Sequence, residues 1–385
     1  MKKCWIESTG ARLVLGFLVF QAGSASFAWD VHQTLMPSIL EYIDASSPGA
    51  LKDTLGRVFP TPCETDDQTL LKQIVPDFQL NPAATLPAFK VAQISQQCGV
   101  QAPITIREIL LGPSVDDPDK GIDRDLPDSF DPTNERDWMG GRTGSSSQGF
   151  RHMYFGGWTI KSPLTTFQIP FHEIGQAAER AELFGTKSKK FLNAGVGAWS
   201  IRILGWALHY IQDLSQPFHT SQIISFRIIP LYELLAWPPS QAWANLKKES
   251  SRTIANYHWS LEGYVRTRLK EGVASPFAEC LRNPKAYSTL DVEALSSPRE
   301  IAKEVAKQSI GIASRLAKAE TDFFSMKLMQ PDFDLSAFKG EIDYSDYGSR
   351  PQLTAEREAL HSVVCQALAN ASIASERLIR VALSP

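Results

Sequence analysis

The chain has 385 residues, of which 43% are hydrophobic and 21% charged, and its formal net charge is −3. Such a composition is globular, with enough chain for a sizeable core. The mild acidity excludes a global pull toward nucleic acid or anionic membranes, though not a local patch.

Residues 1–28 read as a secretory leader. Lys2, Lys3 and Arg12 supply its positive end, Leu13 to Phe20 its apolar core, and Ser26-Phe27-Ala28 the small residues of a cleavage site. The apolar run is far shorter than the ~20 residues of a spanning helix. Export with cleavage after Ala28 is therefore expected, giving a periplasmic or secreted protein. The leader carries net +2, so the mature chain carries −5. No linker rich in Gly, Ser or Pro divides residues 29–385, which are expected to form one domain with an insert at about 46–110.

Cleavage makes Trp29 the first residue, and His32 enters a predicted helix whose packed face is Leu35, Ile39, Leu40 and Ile43. Turn signals (SSPGA, FPTPCETDD, NPAATLP) punctuate the stretch that follows. Of five cysteines, Cys4 leaves with the leader. Cys63, Cys98, Cys280 and Cys365 can form two disulfides in three ways, the most local being Cys63–Cys98 with Cys280–Cys365. Buried free thiols are the alternative.

Asp, Pro and Gly crowd residues 108–131, where Asp117 and Asp119 sit in DDPD. Such a run is most often a solvated loop, and it lacks the spacing of a calcium-binding loop. Gly140 to Gly149 reads as a flexible loop leading into His152. Pro170 and Gly185 predict the start and stop of one helix. Lys189 to Asp213 reads as a single long apolar helix with small residues for close packing. Residues 298–325 and 354–383 have the apolar spacing of two amphipathic helices. Alternating strand patterns are scarce, and the fold class is mostly α. His172 and His361 sit in helical patterns as core or surface residues.

The chemistry concentrates in LGWALHYIQDLSQPFHT. His209 and Asp213, four residues apart, share one helical face. Pro217 stops that helix, so His219 can return toward the same spot. Imidazole nitrogens and a carboxylate arranged in this way suit zinc. His258 and Glu262 repeat the four-residue spacing. Between His219 and His258, the apolar stretch holding Phe226, Tyr232, Trp237 and Trp243 reads either as a buried helix and turn or as an interfacial loop.

These motifs, in this order, resemble the zinc-dependent phospholipase C and single-strand-specific nuclease superfamily: Trp29 at the mature N-terminus, His32, His152 in RHMYFGG, His209-Asp213-His219 in HYxxDxxxPxH, and His258-Glu262 as HxxxE. The resemblance implies a bundle-like helical fold with long loops and a three-zinc cluster. One ion would be held by Asp119 (or Asp117), His152, His209 and Asp213, and a second by His219, His258 and Glu262. The third would be held by Trp29, His32 and a bridging Asp213. Asp119 would also orient or deprotonate the attacking water. Glu262 matches the phospholipase form of the last pair, where the nucleases carry aspartate. The implied activity is hydrolysis of the glycerol-side P–O bond of phospholipids, with transient membrane-surface contact and no stable protein partner. Nucleic acid is the substrate under the nuclease alternative. A non-enzymatic exported protein with a structural zinc is the remaining alternative.

Overall fold

The structure is a computed structural model that describes residues 32–46, 49–60, 103–112, 115, 151–155, 158–161, 166–169, 174–195, 197–221, 223–225, 239–324, 328, 344 and 350–384. Nine α-helices and seven short strands are found among them. The helices are α1 (His32–Ser46), α2 (Ala50–Leu55), α3 (Ile106–Leu111), α4 (Ala177–Asn193), α5 (Gly197–Ser215), α6 (Pro239–Leu269), α7 (Pro276–Arg282), α8 (Pro298–Phe323) and α9 (Thr354–Leu383). The strands are β1 (Val58–Phe59), β2 (Ile104–Thr105), β3 (Tyr154–Phe155), β4 (Trp158–Lys161), β5 (Thr166–Ile169), β6 (Ile174–Gly175) and β7 (Ile223–Ser225). The mostly helical class holds.

The centre of the molecule is α5, all 19 residues of which are buried. Apolar residues occur all round it, as a fully buried helix requires, and Arg202, His209, Gln212 and Asp213 are buried among them. It packs against α4, α9, α8 and α3. Leu35, Ile39, Leu40 and Ile43 of α1 join the same core, as the spacing predicts, and so do Leu51, Leu55, Ile106 and Leu110 from the stretch read as an insert.

The amphipathic readings at 298–325 and 354–383 correspond to α8 and α9. Ser297 caps α8 by accepting from Glu300 N–H. Glu182 of α4 accepts from Ser297 Oγ and Arg299 N–H, both at 2.9 Å, which fixes the start of α8 on α4.

Two helix boundaries differ from the sequence reading. The helix predicted from Pro170 to Gly185 is instead α4, which runs past Gly185 to Asn193. Gly185 ends nothing. A Cβ there would lie 2.7 Å from the Pro298 ring, so the missing side chain admits α8. The long helix expected from Lys189 to Asp213 is broken between α4 and α5. Gly195 takes φ 82°, a left-handed conformation that ends α4 and turns the chain.

Strands are minor. β3 pairs antiparallel with β6, and β4 lies between β5 (antiparallel) and β7 (parallel). The stretch between His219 and His258 contributes β7 and the first turns of α6, which Pro239 opens. Phe226, Tyr232 and Trp237 lie outside the described residues, as does the side chain of Trp243. Cys280 and Cys365 form a disulfide that ties α7 to α9. Cys63, Cys98, His172 and the leader lie outside the described residues. No described helix is long and apolar enough to cross a membrane.

Candidate metal centre

Six of the sequence-predicted histidines and acids come from the C-terminal half of one helix, the turn that follows it and two further helices. α5 brings His209 and Asp213 to its inner face, one turn apart. It ends at Ser215, and Pro217–His219 forms a 3₁₀ turn that aims His219 back toward the same region. His32 is the first residue of α1. His258 and Glu262 lie one turn apart on α6.

Two groups result. In the first, Asp213 is the hub. His152 Nδ1 donates to its Oδ2 at 2.6 Å, His209 Nε2 lies 3.4 Å from the same oxygen, and His32 Nε2 lies 3.1 Å from Oδ1. The rings of His32 and His209 are 3.9 Å apart. Burial alone would push the Asp213 carboxyl up, but His209, His152 and His32 outweigh it and hold it well below the usual carboxylate range. Burial likewise disfavours a charged His32, yet the hydrogen bond and charge of Asp213 and the Gln212 amide raise its proton affinity. Asp213 is therefore an anion at neutral pH, ringed by imidazoles.

In the second group, His258 Nε2 lies 2.8 Å from Glu262 Oε1, and the His219 and His258 rings meet edge to face at 5.0 Å. Burial pushes the His219 imidazole down to about 3, so this ring is neutral at physiological pH. His32, His209 and Asp213 form one set of converging ligand atoms, and His219, His258 and Glu262 the other.

The outer contacts decide which nitrogens face inward. His209 Nδ1 donates to the Val115 carbonyl at 3.1 Å, and His219 Nδ1 to the His152 carbonyl at 3.0 Å. A carbonyl can only accept, so in the neutral rings Nδ1 carries the proton and Nε2 keeps its lone pair. His32 Nδ1 donates to Gln212 Oε1 at 2.8 Å, while the Gln212 amide donates to Ser375 Oγ and the Met36 sulfur. Metal-binding imidazoles are oriented by this kind of second contact.

Neither Gln212 nor Gln216 was flagged by the sequence. Gln216 is fully buried; its Oε1 accepts from Phe218 N–H at 2.7 Å and its Nε2 donates to Glu262 Oε1 at 3.2 Å. One amide thus shapes the turn carrying His219 and orients the carboxylate opposite. In sequence, the one signal each glutamine carries is its place, Gln212 directly before Asp213 and Gln216 directly before Pro217.

The donor set fits a metal cation. His219 Nε2 is buried and makes no hydrogen bond, and Asp213 Oδ1, equally buried, has only His32 Nε2 at 3.1 Å. Unsatisfied buried polar atoms are costly, and a shared cation resolves them where a hydrogen bond does not. A single imidazole–carboxylate pair needs only a proton. Two groups with surplus lone pairs, sharing one anchor in His152, suit nitrogen–oxygen metal ligation.

No protein-family model, curated protein or solved structure matches the chain. The likeness to the zinc phospholipase C and nuclease superfamily therefore rests on the ordered ligand motifs and on a mostly helical structure with buried His/Asp/Glu clusters. Trp29, Asp117 and Asp119 lie outside the described residues, so of the third-ion ligands only His32 and Asp213 are placed, and Asp119 is not.

Proposed function

We propose that this protein is an exported zinc-dependent phosphodiesterase of the phospholipase C type. The observation that carries the reading is the pair of buried imidazole–carboxylate groups, with the His152 side chain in the first and its carbonyl holding His219 of the second. A structural zinc site is saturated by four ligands. Seven side chains gathered in two neighbouring groups exceed the needs of a single such site and favour the multi-metal reading over the structural one.

When bound, zinc supplies Lewis acidity toward a phosphoryl oxygen and toward water. The chain's own residues define where that happens. Val115 and Gln212 fix His209 and His32 toward Asp213. The His152 carbonyl and Gln216 fix His219 and Glu262. Low local dielectric in this buried region strengthens each charge interaction. Asp119 remains the proposed base by resemblance. The glutamate of the last pair, Glu262, favours phospholipid over nucleic acid, again by resemblance. Residues 29–385 would act as one catalytic domain making transient contact with a lipid surface. The Cys280–Cys365 disulfide supports an oxidising destination.

The test assays the purified mature protein on phosphatidylcholine vesicles and on single-stranded DNA, with and without chelator. Chelator-sensitive release of diacylglycerol with intact DNA is the expected result. DNA cleavage without lipid hydrolysis would move the reading to the nuclease. Metal-tight protein inactive on both would favour a structural zinc.

A further inference from the structure

Away from the candidate metal centre, a cavity of about 460 Å³ opens where the ends of α4 and α9 meet α2. Three cationic side chains line it: Lys189 from α4, and Arg377 and Arg380 from α9. Thr54, Ser296 and Ser384 add hydroxyls. Leu51, Val381 and Leu383 give it an apolar wall.

The cations are not balanced locally. Arg380 pairs with Glu376 through Nε. Lys189 and Arg377 have no carboxylate partner among the described residues. Both are instead held by neutral acceptors: Lys189 Nζ donates to Ser384 Oγ at 3.2 Å, and Arg377 Nε to the Leu295 carbonyl at 2.7 Å. With its Nε committed, the Arg377 guanidinium is fixed in direction and keeps its terminal nitrogens for another acceptor. Lys52, Lys187 and Lys190 extend the basic character of this end of the molecule in sequence, although the chain as a whole is acidic. A cation in the last turn of a helix compensates the helix dipole. Arg380 can serve that purpose at the end of α9; Arg377 stands about a turn further back, and Lys189 lies just ahead of the last turn of α4.

We propose that this cavity is a binding site for a phosphate monoester, with Lys189 and Arg377 as the principal contacts and Arg380 as a third. A guanidinium and an ammonium with neighbouring hydroxyls match a dianionic tetrahedral group. The apolar wall then receives the short carbon chain of a phosphate ester. The site is separate from the metal centre and does not depend on the activity proposed there.

The test measures the melting temperature of the full mature protein as inorganic phosphate or glycerol 3-phosphate is added, against chloride at equal ionic strength. Phosphate should raise it beyond the chloride control. The increment should vanish in Lys189→Gln/Arg377→Gln, with binding weakened by about tenfold or more for each cation removed. It should persist in Lys187→Gln/Lys190→Gln, and also in His219→Ala, where any anion held by the metal centre is lost. Sedimentation with phosphatidylcholine vesicles carrying a minority of phosphatidic acid separates the sources. Vesicle capture that the double variant loses assigns a lipid headgroup; a response to glycerol 3-phosphate without capture assigns a soluble ester. If the double variant fails to fold, Lys189→Gln alone is compared. No phosphate-specific shift in the wild type, an equal shift in the Lys189/Arg377 variant, or a shift abolished by His219→Ala overturns the proposal.

Discussion

The two imidazole–carboxylate groups are built from the same residue types and behave differently. The Asp213 group is closed: its carboxylate is fully buried and three histidines from α1, α5 and the segment before β3 surround it. The Glu262 group is open on one side, because the His258 side chain keeps 13% of its surface exposed and its ring stacks on the half-buried Phe218. One group encloses its carboxylate, and the other has a side open to solvent. Metal sites divide along this line, with saturated sites structural and sites with a free position catalytic.

Asp213→Ala should separate the two groups most sharply. It leaves the surrounding imidazoles without their counter-charge, a loss of roughly 3–5 kcal/mol for a broken buried pair. Metal analysis should find the first group empty and the melting temperature sharply lower, with the second group still loaded. Emptying of both groups would mean that they are one cluster.

Next in size is Gly175→Ala. Gly175 has φ 105°, and a Cβ there would lie 1.9 Å from the Met153 carbonyl oxygen. The β3–β6 pairing must shift, at about 1–3 kcal/mol for the forced backbone conformation. Met153 follows His152, so both groups should lose metal together. Loss from only one would show that His152 does not couple them.

Gln216→Ala should act on the open group alone. Removing an outer contact to a ligand typically weakens metal binding ~10–100-fold. Titration of metal into the variant should show one weakened class of site and one unchanged. Equal weakening of both would erase the difference between the groups.

The smallest effect comes from a buried carboxylate without imidazoles. Burial raises Glu320 well above its usual 4.5, the reverse of Asp213. Below pH 4.5 both folded and unfolded chains keep this proton. As pH rises, the unfolded chain releases it while the folded chain retains it, so Glu320 lowers stability progressively until its folded pKa is passed. Glu320→Gln should therefore match the wild type in acid and melt higher at mildly alkaline pH. An equal difference at all pH values would show that packing, not ionisation, is responsible.

The ligand-bearing helix was legible in the sequence because its signals are local. A four-residue spacing, a proline and a returning histidine define the α5 end without reference to the rest of the chain. α8 and α9 were legible through long apolar periodicity. Gly185 was not, because a glycine that admits a neighbouring helix and one that ends a helix look alike until the neighbour is known. Gly195 was hidden inside a continuous apolar pattern for the same reason. Gln212 and Gln216 escaped because an uncharged amide takes its meaning from what it touches, and Ser375 and Glu262 lie 163 and 46 residues away.

The complete burial of α5 also sets a rank order in time. Its amides can exchange with solvent only when α4, α8 and α9 open around it, whereas the exposed first turn of α9 can fray alone. In a deuterium-exchange experiment the slowest protons should therefore cluster between Gly197 and Ser215, around His209 and Asp213. The two side chains that anchor the closed group are carried by the last part of the protein to come apart.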